Sequence, residues 1–203
     1  MPDIDRALAD IAAIRLQLAR GELHRGLGPA AMAATGLLAG AVALGQSWLF
    51  PEAGITAYLV TWIAAAVGAA VIAGAELVTR SRRYHSRLAD AMIATAVADF
   101  LPAAGAGVLL LVVLARVEPG SLWMLPGLWQ VLVGLGLFAA SRTLPRAVAI
   151  VAAFYMVAGL AVLMIAAAGH VPTPGMMGVP FTLGQLGLAL VLHIGLRSDH
   201  GAA

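Results

Sequence analysis

"RSRRYHSRLADAMIATAVADFLP", residues 80–102, places four arginines within eight residues directly before an apolar stretch that contains one aspartate, Asp99. Crossing the hydrocarbon layer of a membrane takes about 20 predominantly apolar residues in an α-helix. An arginine-rich turn beside such a segment is typical of the cytoplasmic side of a membrane, where positively charged residues accumulate. The stretch therefore predicts a cytoplasmic turn that joins two membrane-spanning helices.

The composition of the whole chain also indicates a membrane protein. Of its 203 residues, 62% are hydrophobic and 11% are charged, whereas a soluble domain is about half apolar and a quarter charged. The basic charges are spread over short loops, so the high isoelectric point is not taken as a sign of nucleic-acid binding. Cysteine is absent, which excludes disulfides, thiolate metal sites and cysteine nucleophiles.

Six stretches are long and apolar enough to span the membrane. They are residues 29–49, 55–79, 91–116, 122–140, 147–169 and 180–196. The intervening segments alternate between proline-containing ones (WLFPEAG, VEPGS, HVPTPGMMGVP) and basic ones (RSRRYHSR, SRTLPR, LRSDHGAA). With the amino terminus inside, eleven of the twelve arginines fall inside and only Arg116 falls outside. We therefore expect an all-α, polytopic bundle of six transmembrane helices in three hairpins, formed by residues 28–197, with both termini cytoplasmic.

The first 27 residues predict an amphipathic helix, and residues 198–203 a short cytoplasmic tail. Asp3 can cap this first helix. Its apolar residues fall on one face: Ile4, Leu8, Ile11, Ile14 and Leu18. We expect the helix to lie along the cytoplasmic membrane surface, and the alternative is a docking helix for a partner protein or a second protomer.

Four polar side chains from four different spans are expected within about one and a half helical turns of a common depth. They are Asp99, Gln130, Tyr155 and His193. A carboxylate inside a bilayer costs about 2.5–3.5 kcal/mol on insertion scales, so we expect it to have a hydrogen-bond or ionic partner, or a functional role. We interpret the four as a hypothetical ligand or proton site with Trp129 as a stacking wall. The alternative is that Asp99 is a structural residue, protonated or hydrogen-bonded within the bundle.

The arginine turn contains a second hypothetical site. Clustered guanidinium groups can bind a phosphate or an anionic headgroup, and the residues concerned are Arg82, Arg83, His85 and Arg87. The alternative is that they only anchor the turn on the cytoplasmic side. Glu76 and Arg80 are four residues apart, which predicts an interfacial ion pair.

Motifs of several enzyme classes are missing from the sequence. There is no HExxH, no GxSxG and no glycine-rich phosphate loop, so a membrane protease, a hydrolase and a nucleotide-driven motor are unsupported. His193 is the only histidine within a predicted span, which argues against a haem held by two histidines. We expect no metal and no cofactor.

The stretches "RSRRYHSRLADAMI", "LWMLPGLWQVLVGLG", "SRTLPRA" and "PFTLGQLGLAL" resemble a family of bacterial six-span integral membrane proteins of about this length, for which no activity is assigned. The resemblance covers the whole chain, including its amphipathic start. It implies a multi-pass topology in the bacterial inner membrane and brings no catalytic residues.

Three functions remain open at this point. The leading hypothesis is a non-enzymatic membrane protein that binds a small apolar or amphipathic ligand, or a partner protein, within the bundle. The second is a small proton-linked permease that uses Asp99 with His193. The third is an enzyme that acts on a lipid or quinone headgroup held by the arginine turn. A homo-oligomer is left open for all three.

Overall fold

The chain forms a bundle of long apolar helices. The computed structural model describes residues 28–52, 54–84, 87–142 and 144–200, of which no segment is a strand. The α-helices are α1 (Pro29–Leu49), α2 (Ile55–Tyr84), α3 (Arg87–Val117), α4 (Leu125–Ala140), α5 (Val148–Ala167) and α6 (Pro174–His200), with a 3₁₀-helix (Pro119–Met124) before α4. Six helical spans are long and apolar enough to cross a membrane, so the predicted fold class is confirmed. The predicted amphipathic helix, residues 1–27, lies outside the described residues.

Proline and glycine determine several helix ends. Pro29 and Pro174 begin α1 and α6, positions where the missing amide hydrogen of proline would have no partner in the helix. Gly169 follows α5 with φ +90°, and its amide donates to the carbonyl of Ala166 at 3.0 Å. A residue without a Cβ tolerates this left-handed conformation, so the chain turns there towards α6.

The connections between the helices alternate between two ends of the bundle. At one end, which we call the proline face, lie residues 50–54, 118–124 and 168–173. The Tyr58 hydroxyl at the start of α2 donates to the Thr173 carbonyl at 3.1 Å, which joins two of these connections. At the other end, the arginine face, lie the end of α2, the start of α3 and residues 141–142 and 144–147. Met32, Val148 and Leu192 share one buried cluster near this end, so the six helices form three antiparallel hairpins.

Four of the six helices make the core. The most extensive packing is between α1 and α6 and between α4 and α5, with α6 also against α5. The remaining helices are peripheral, because α2 packs against α1 and α3 packs against α4. Only 17% of the span of α2 and 6% of that of α3 is buried, against 33% or 39% of the others. Apolar side chains of α2 and α3 therefore form much of the outer surface.

Glycines allow the core helices to approach closely. A Cβ added to Gly127 of α4 would lie 2.7 Å from the Gly159 carbonyl oxygen of α5. On α1, a Cβ added to Gly36 would lie 3.2 Å from the Thr182 carbonyl oxygen of α6, and the Thr182 hydroxyl donates to the Gly36 carbonyl at 3.1 Å. Small residues in these positions bring two backbones into contact without a loss of packing.

Four of the predicted spans differ from the structure at their ends, two of them by six residues. The third apolar span is Val97–Val117 rather than 91–116, within a helix, α3, that begins at Arg87. The sixth span is Pro174–Gly195 rather than 180–196, because Pro180 lies inside α6 instead of at its start.

Candidate functional site

A file of aromatic rings runs through the bundle from the proline face. The ring centroids of Tyr58 and Trp62 are 6.4 Å apart, and Trp62 stacks on Phe181 at 6.4 Å with an interplanar angle of 28°. Phe181 in turn lies 5.4 Å from Tyr155. These separations are in the favourable range for aromatic pairs, about 4.5–7 Å. The file therefore connects α2, α6 and α5 across the core.

Five buried polar side-chain atoms have no hydrogen-bond partner within the described part of the chain, and one of them is Gln46 Oε1 of α1. The other four are Trp62 Nε1, Gln130 Oε1, Tyr155 Oη and Gln185 Oε1, and we call these four residues the interior polar row. Gln130 and Tyr155 are 0% exposed. An unpartnered buried polar group costs about 1–3 kcal/mol, so four of them together need an explanation.

The polar row follows one side of α6. Gln130 contacts the Met176 backbone, whereas Tyr155 lies against Gly184, where an added Cβ would collide with its ring. These two positions on α6 are eight residues apart, roughly 12 Å along the helix. The Gln185 amide lies beside the Tyr155 hydroxyl, but the two groups do not reach hydrogen-bond geometry. The row is therefore a narrow strip rather than a compact cluster.

The Nε2 group of the Gln130 side chain has a structural role. Pro180 has no amide hydrogen, so the carbonyl of Met176, four residues earlier, loses its partner within α6. The Gln130 Nε2 group donates to this carbonyl at 2.8 Å. A side chain of α4 thus replaces the backbone bond that Pro180 removes, which explains how proline is accommodated inside a membrane helix. The Gln130 Oε1 atom remains available.

The interior polar row is electrically neutral. Among the residues whose side chains the structure describes, none that is buried carries a charge. The row offers a donor at Trp62, acceptors at Gln130 and Gln185, and a hydroxyl at Tyr155 that can do both. Such a set can hydrogen-bond an uncharged group, whereas an ion at this place would have no counter-charge.

Of the four polar residues predicted to share one depth, Gln130 and Tyr155 lie in the row and Asp99 and His193 do not. Asp99 is half-buried and is the third residue of the span Val97–Val117. His193 is exposed and lies two residues before the end of the span Pro174–Gly195. Each is thus the third residue from the arginine-face end of its apolar span.

Asp99 and His193 are also on helices that do not pack extensively together, because α3 packs against α4 whereas α6 packs against α1 and α5. The Trp129 indole donates from Nε1 to the Gly107 carbonyl at 3.1 Å. Trp129 therefore connects α4 to the peripheral α3 through this bond, and it also packs against the cluster that contains Trp62.

The predicted headgroup site and ion pair fall largely outside the described side chains. This holds for the side chains of Arg80, Arg82, Arg83 and Arg87 and for the whole of His85. Glu76 is half-buried near the arginine face and takes part in an interaction within the structure.

The sequence reasoning named none of Gln185, Phe181 and Trp62 as site residues. A signal was present for Gln185, since it is an amide within the sixth apolar span and a polar group at that depth needs a partner. For Phe181 and Trp62 there was no such signal, because aromatic residues are common in any apolar span.

Comparisons of the chain with models of protein families, with curated proteins and with solved structures found no match. The resemblance to bacterial six-span membrane proteins stays a prediction, and the function is inferred from the geometry.

Proposed function

We propose that this protein binds a small, neutral, amphipathic molecule inside its helical bundle, on the interior polar row. The observation that carries the proposal is the set of four buried polar atoms without partners beside a file of aromatic rings. A bound molecule that donates to the two amide oxygens and accepts from the indole would recover the desolvation cost of these groups.

The chemistry of the row limits the class of ligand. The rings of Trp62, Phe181 and Tyr155 offer apolar surface to a flat or hydrocarbon body. The uncharged donors and acceptors suit hydroxyl, amide or carbonyl groups. The absence of a buried charge among the described side chains disfavours a carboxylate, a phosphate or an ammonium group in the ligand.

Native mass spectrometry of the protein purified in mild detergent tests this proposal. Wild type should retain a neutral small molecule, seen as a discrete mass above that of the chain. Tyr155→Phe keeps the ring but removes the hydroxyl, so its bound fraction should fall about fivefold to tenfold. Trp129→Phe removes a hydrogen bond outside the row and should retain the molecule as wild type does. Equal retention in all three, or no bound molecule in wild type, would contradict the proposal.

The two alternative functions have distinct outcomes. A proton-linked permease would show pH-dependent uptake in liposomes that is lost in Asp99→Asn or in a His193 variant. An enzyme would release product from lipid extracts in a manner that depends on Arg82, Arg83 and His85. The separation of Asp99 and His193 onto helices that pack with different neighbours and the neutral interior both favour ligand binding over these two.

We further propose that the protein resides in the bilayer of a bacterial inner membrane with both termini and the arginine face in the cytoplasm, and with residues 1–27 along the membrane surface. The arginine asymmetry of the loops supports this orientation. Alkaline phosphatase fused at residue 52 or 171 should be active, and fused at residue 142 or 203 inactive. Crosslinking in membranes tests for a homo-oligomer or a membrane partner.

A further inference from the structure

The start of α6 is attached to the bundle in an unusual way. We call residues 173–179 the entry segment. Its Thr173 carbonyl accepts from the Tyr58 hydroxyl of α2 at 3.1 Å, and its Met176 carbonyl accepts from the Gln130 amide of α4 at 2.8 Å. Pro180 removes the backbone bond that would join this segment to the rest of α6 at Met176. Side chains of two other helices therefore provide these two attachments of the segment.

The entry segment covers the proline-face end of the interior polar row. Met177 is buried in one cluster with Trp62 and Leu125, and Gly178 lies against Ala43 of α1. Towards the arginine face, the interior is filled by apolar side chains of another cluster, which includes Met32, Leu137, Val148 and Leu192. Both ends of the row are thus covered by packed side chains, and at the proline-face end these include Met177 of the entry segment.

The row itself has no open surface at Gln130 and Tyr155, which are 0% exposed. A ligand can reach such a site only if part of the wall moves. A proline inside a helix is a common bending point. Breaking the two side-chain bonds would weaken the attachment of the entry segment, which also packs on the bundle through Met177 and Gly178.

We propose that the entry segment is the gate through which the ligand reaches the interior polar row from the proline face, bending at Pro180 and held closed by Tyr58 and Gln130. This inference rests on the proposed function, which defines the ligand that would pass through the gate. The opening itself is a property of the protein alone, and it is measured without any ligand.

Cysteine accessibility tests the gate, because the natural chain contains no cysteine. Ala39 is buried in the same cluster as Met177, so Ala39→Cys is a reporter beneath the entry segment. The probe is a membrane-impermeant, positively charged methanethiosulfonate reagent added to one side of sealed proteoliposomes of known orientation. We expect slow labelling from the proline face and none from the arginine face.

Tyr58→Phe removes the bond to Thr173 and should raise the labelling rate about tenfold. Trp129→Phe is the matched control, since it removes a hydrogen bond of the same length from a side chain to a backbone carbonyl but leaves both hydrogen bonds of the entry segment in place. Its labelling rate should equal that of the parent. Pro180→Ala restores an amide for the Met176 carbonyl, stiffens the segment and should slow labelling.

The proposal is overturned if Tyr58→Phe leaves the rate unchanged, if Trp129→Phe raises it equally, or if labelling comes from the arginine face. A second reporter, Ala43→Cys, lies directly against Gly178 and gives the same readout if Ala39→Cys disturbs the bundle. Failure of ligand binding with a normal labelling pattern would refute the proposed function and leave the gate intact. The converse result would refute the gate alone.

Discussion

The bond between Gln130 and Met176 can be isolated by a double-mutant cycle with Pro180. Gln130→Leu removes the donor, which lies 2.8 Å from the Met176 oxygen in a side chain with no exposed surface, so water has no direct access to replace it. The same substitution deletes Gln130 Oε1, whose lack of a partner is itself unfavourable. The change in unfolding free energy of the single variant therefore combines the loss of the bond to Met176 with the gain from removing the unpartnered oxygen.

Pro180→Ala separates the two contributions. With an alanine at this position, the backbone amide can donate to the Met176 carbonyl, and Gln130 is no longer its sole replacement donor. Interhelical hydrogen bonds in membrane proteins contribute about 0.6 kcal/mol on average and up to about 1.7 kcal/mol. Because a carbonyl left unpartnered in the core costs about 1–3 kcal/mol, we expect a coupling energy of about 1–2 kcal/mol between the two substitutions.

Reversible unfolding in mixed micelles, followed by far-ultraviolet circular dichroism as the fraction of dodecyl sulfate rises, measures the four free energies. Trp129→Phe combined with Pro180→Ala is the control cycle, and its effects should add to within about 0.5 kcal/mol. A coupling below that limit in the Gln130 cycle would refute the idea that Gln130 compensates for Pro180, and with it one of the two attachments of the entry segment.

Two further predictions concern glycines of the core. Gly127→Ala should destabilise the bundle by about 1–3 kcal/mol, since the new methyl group would meet a backbone carbonyl at 2.7 Å. The control Gly105→Ala, with nothing within 4 Å, should leave stability unchanged or raise it by up to about 1 kcal/mol. Gly184→Ala should displace the Tyr155 ring and lower both stability and ligand retention. Gly187→Ala, one turn further along α6, meets its nearest neighbour at an ordinary 3.7 Å and should do neither. Thermal unfolding and native mass spectrometry measure both pairs, and an equal effect within either pair would contradict the packing argument.

The number and order of the membrane helices were readable from the sequence for a physical reason. In a lipid environment every backbone amide and carbonyl must find its partner within the helix, so each span is a long apolar run with few alternatives. The boundaries at α3 and α6 were less predictable. Pro180 marked the start of the sixth span by the usual rule, and only the distant Gln130 side chain makes a start at Pro174 compatible with it.

The site could be predicted only in part, because helical rise gives depth but not direction. Two of the four residues predicted from helical rise, Gln130 and Tyr155, are buried inside the bundle. Which helices face one another depends on contacts such as that of Gly127 with Gly159, and nothing in a single sequence pairs two glycines that are 32 positions apart. No such contact supports the predicted convergence of Asp99 and His193 with Gln130 and Tyr155.

Gln130 belongs to both the proposed gate and the proposed binding site. Its Nε2 group holds the Met176 carbonyl of the entry segment, while its Oε1 atom belongs to the interior polar row. Because the two halves of an amide are electronically conjugated, a ligand that donates to Oε1 makes the Nε2 group a stronger donor. Under the two proposals, occupation of the row should therefore favour closure of the entry segment, and loss of the ligand should weaken one of its two side-chain attachments. A leucine at position 130 would occupy a similar volume, but it could neither hold the Met176 carbonyl nor respond to a ligand. A polar residue at this depth would therefore have a second role besides compensating for the backbone bond that Pro180 removes.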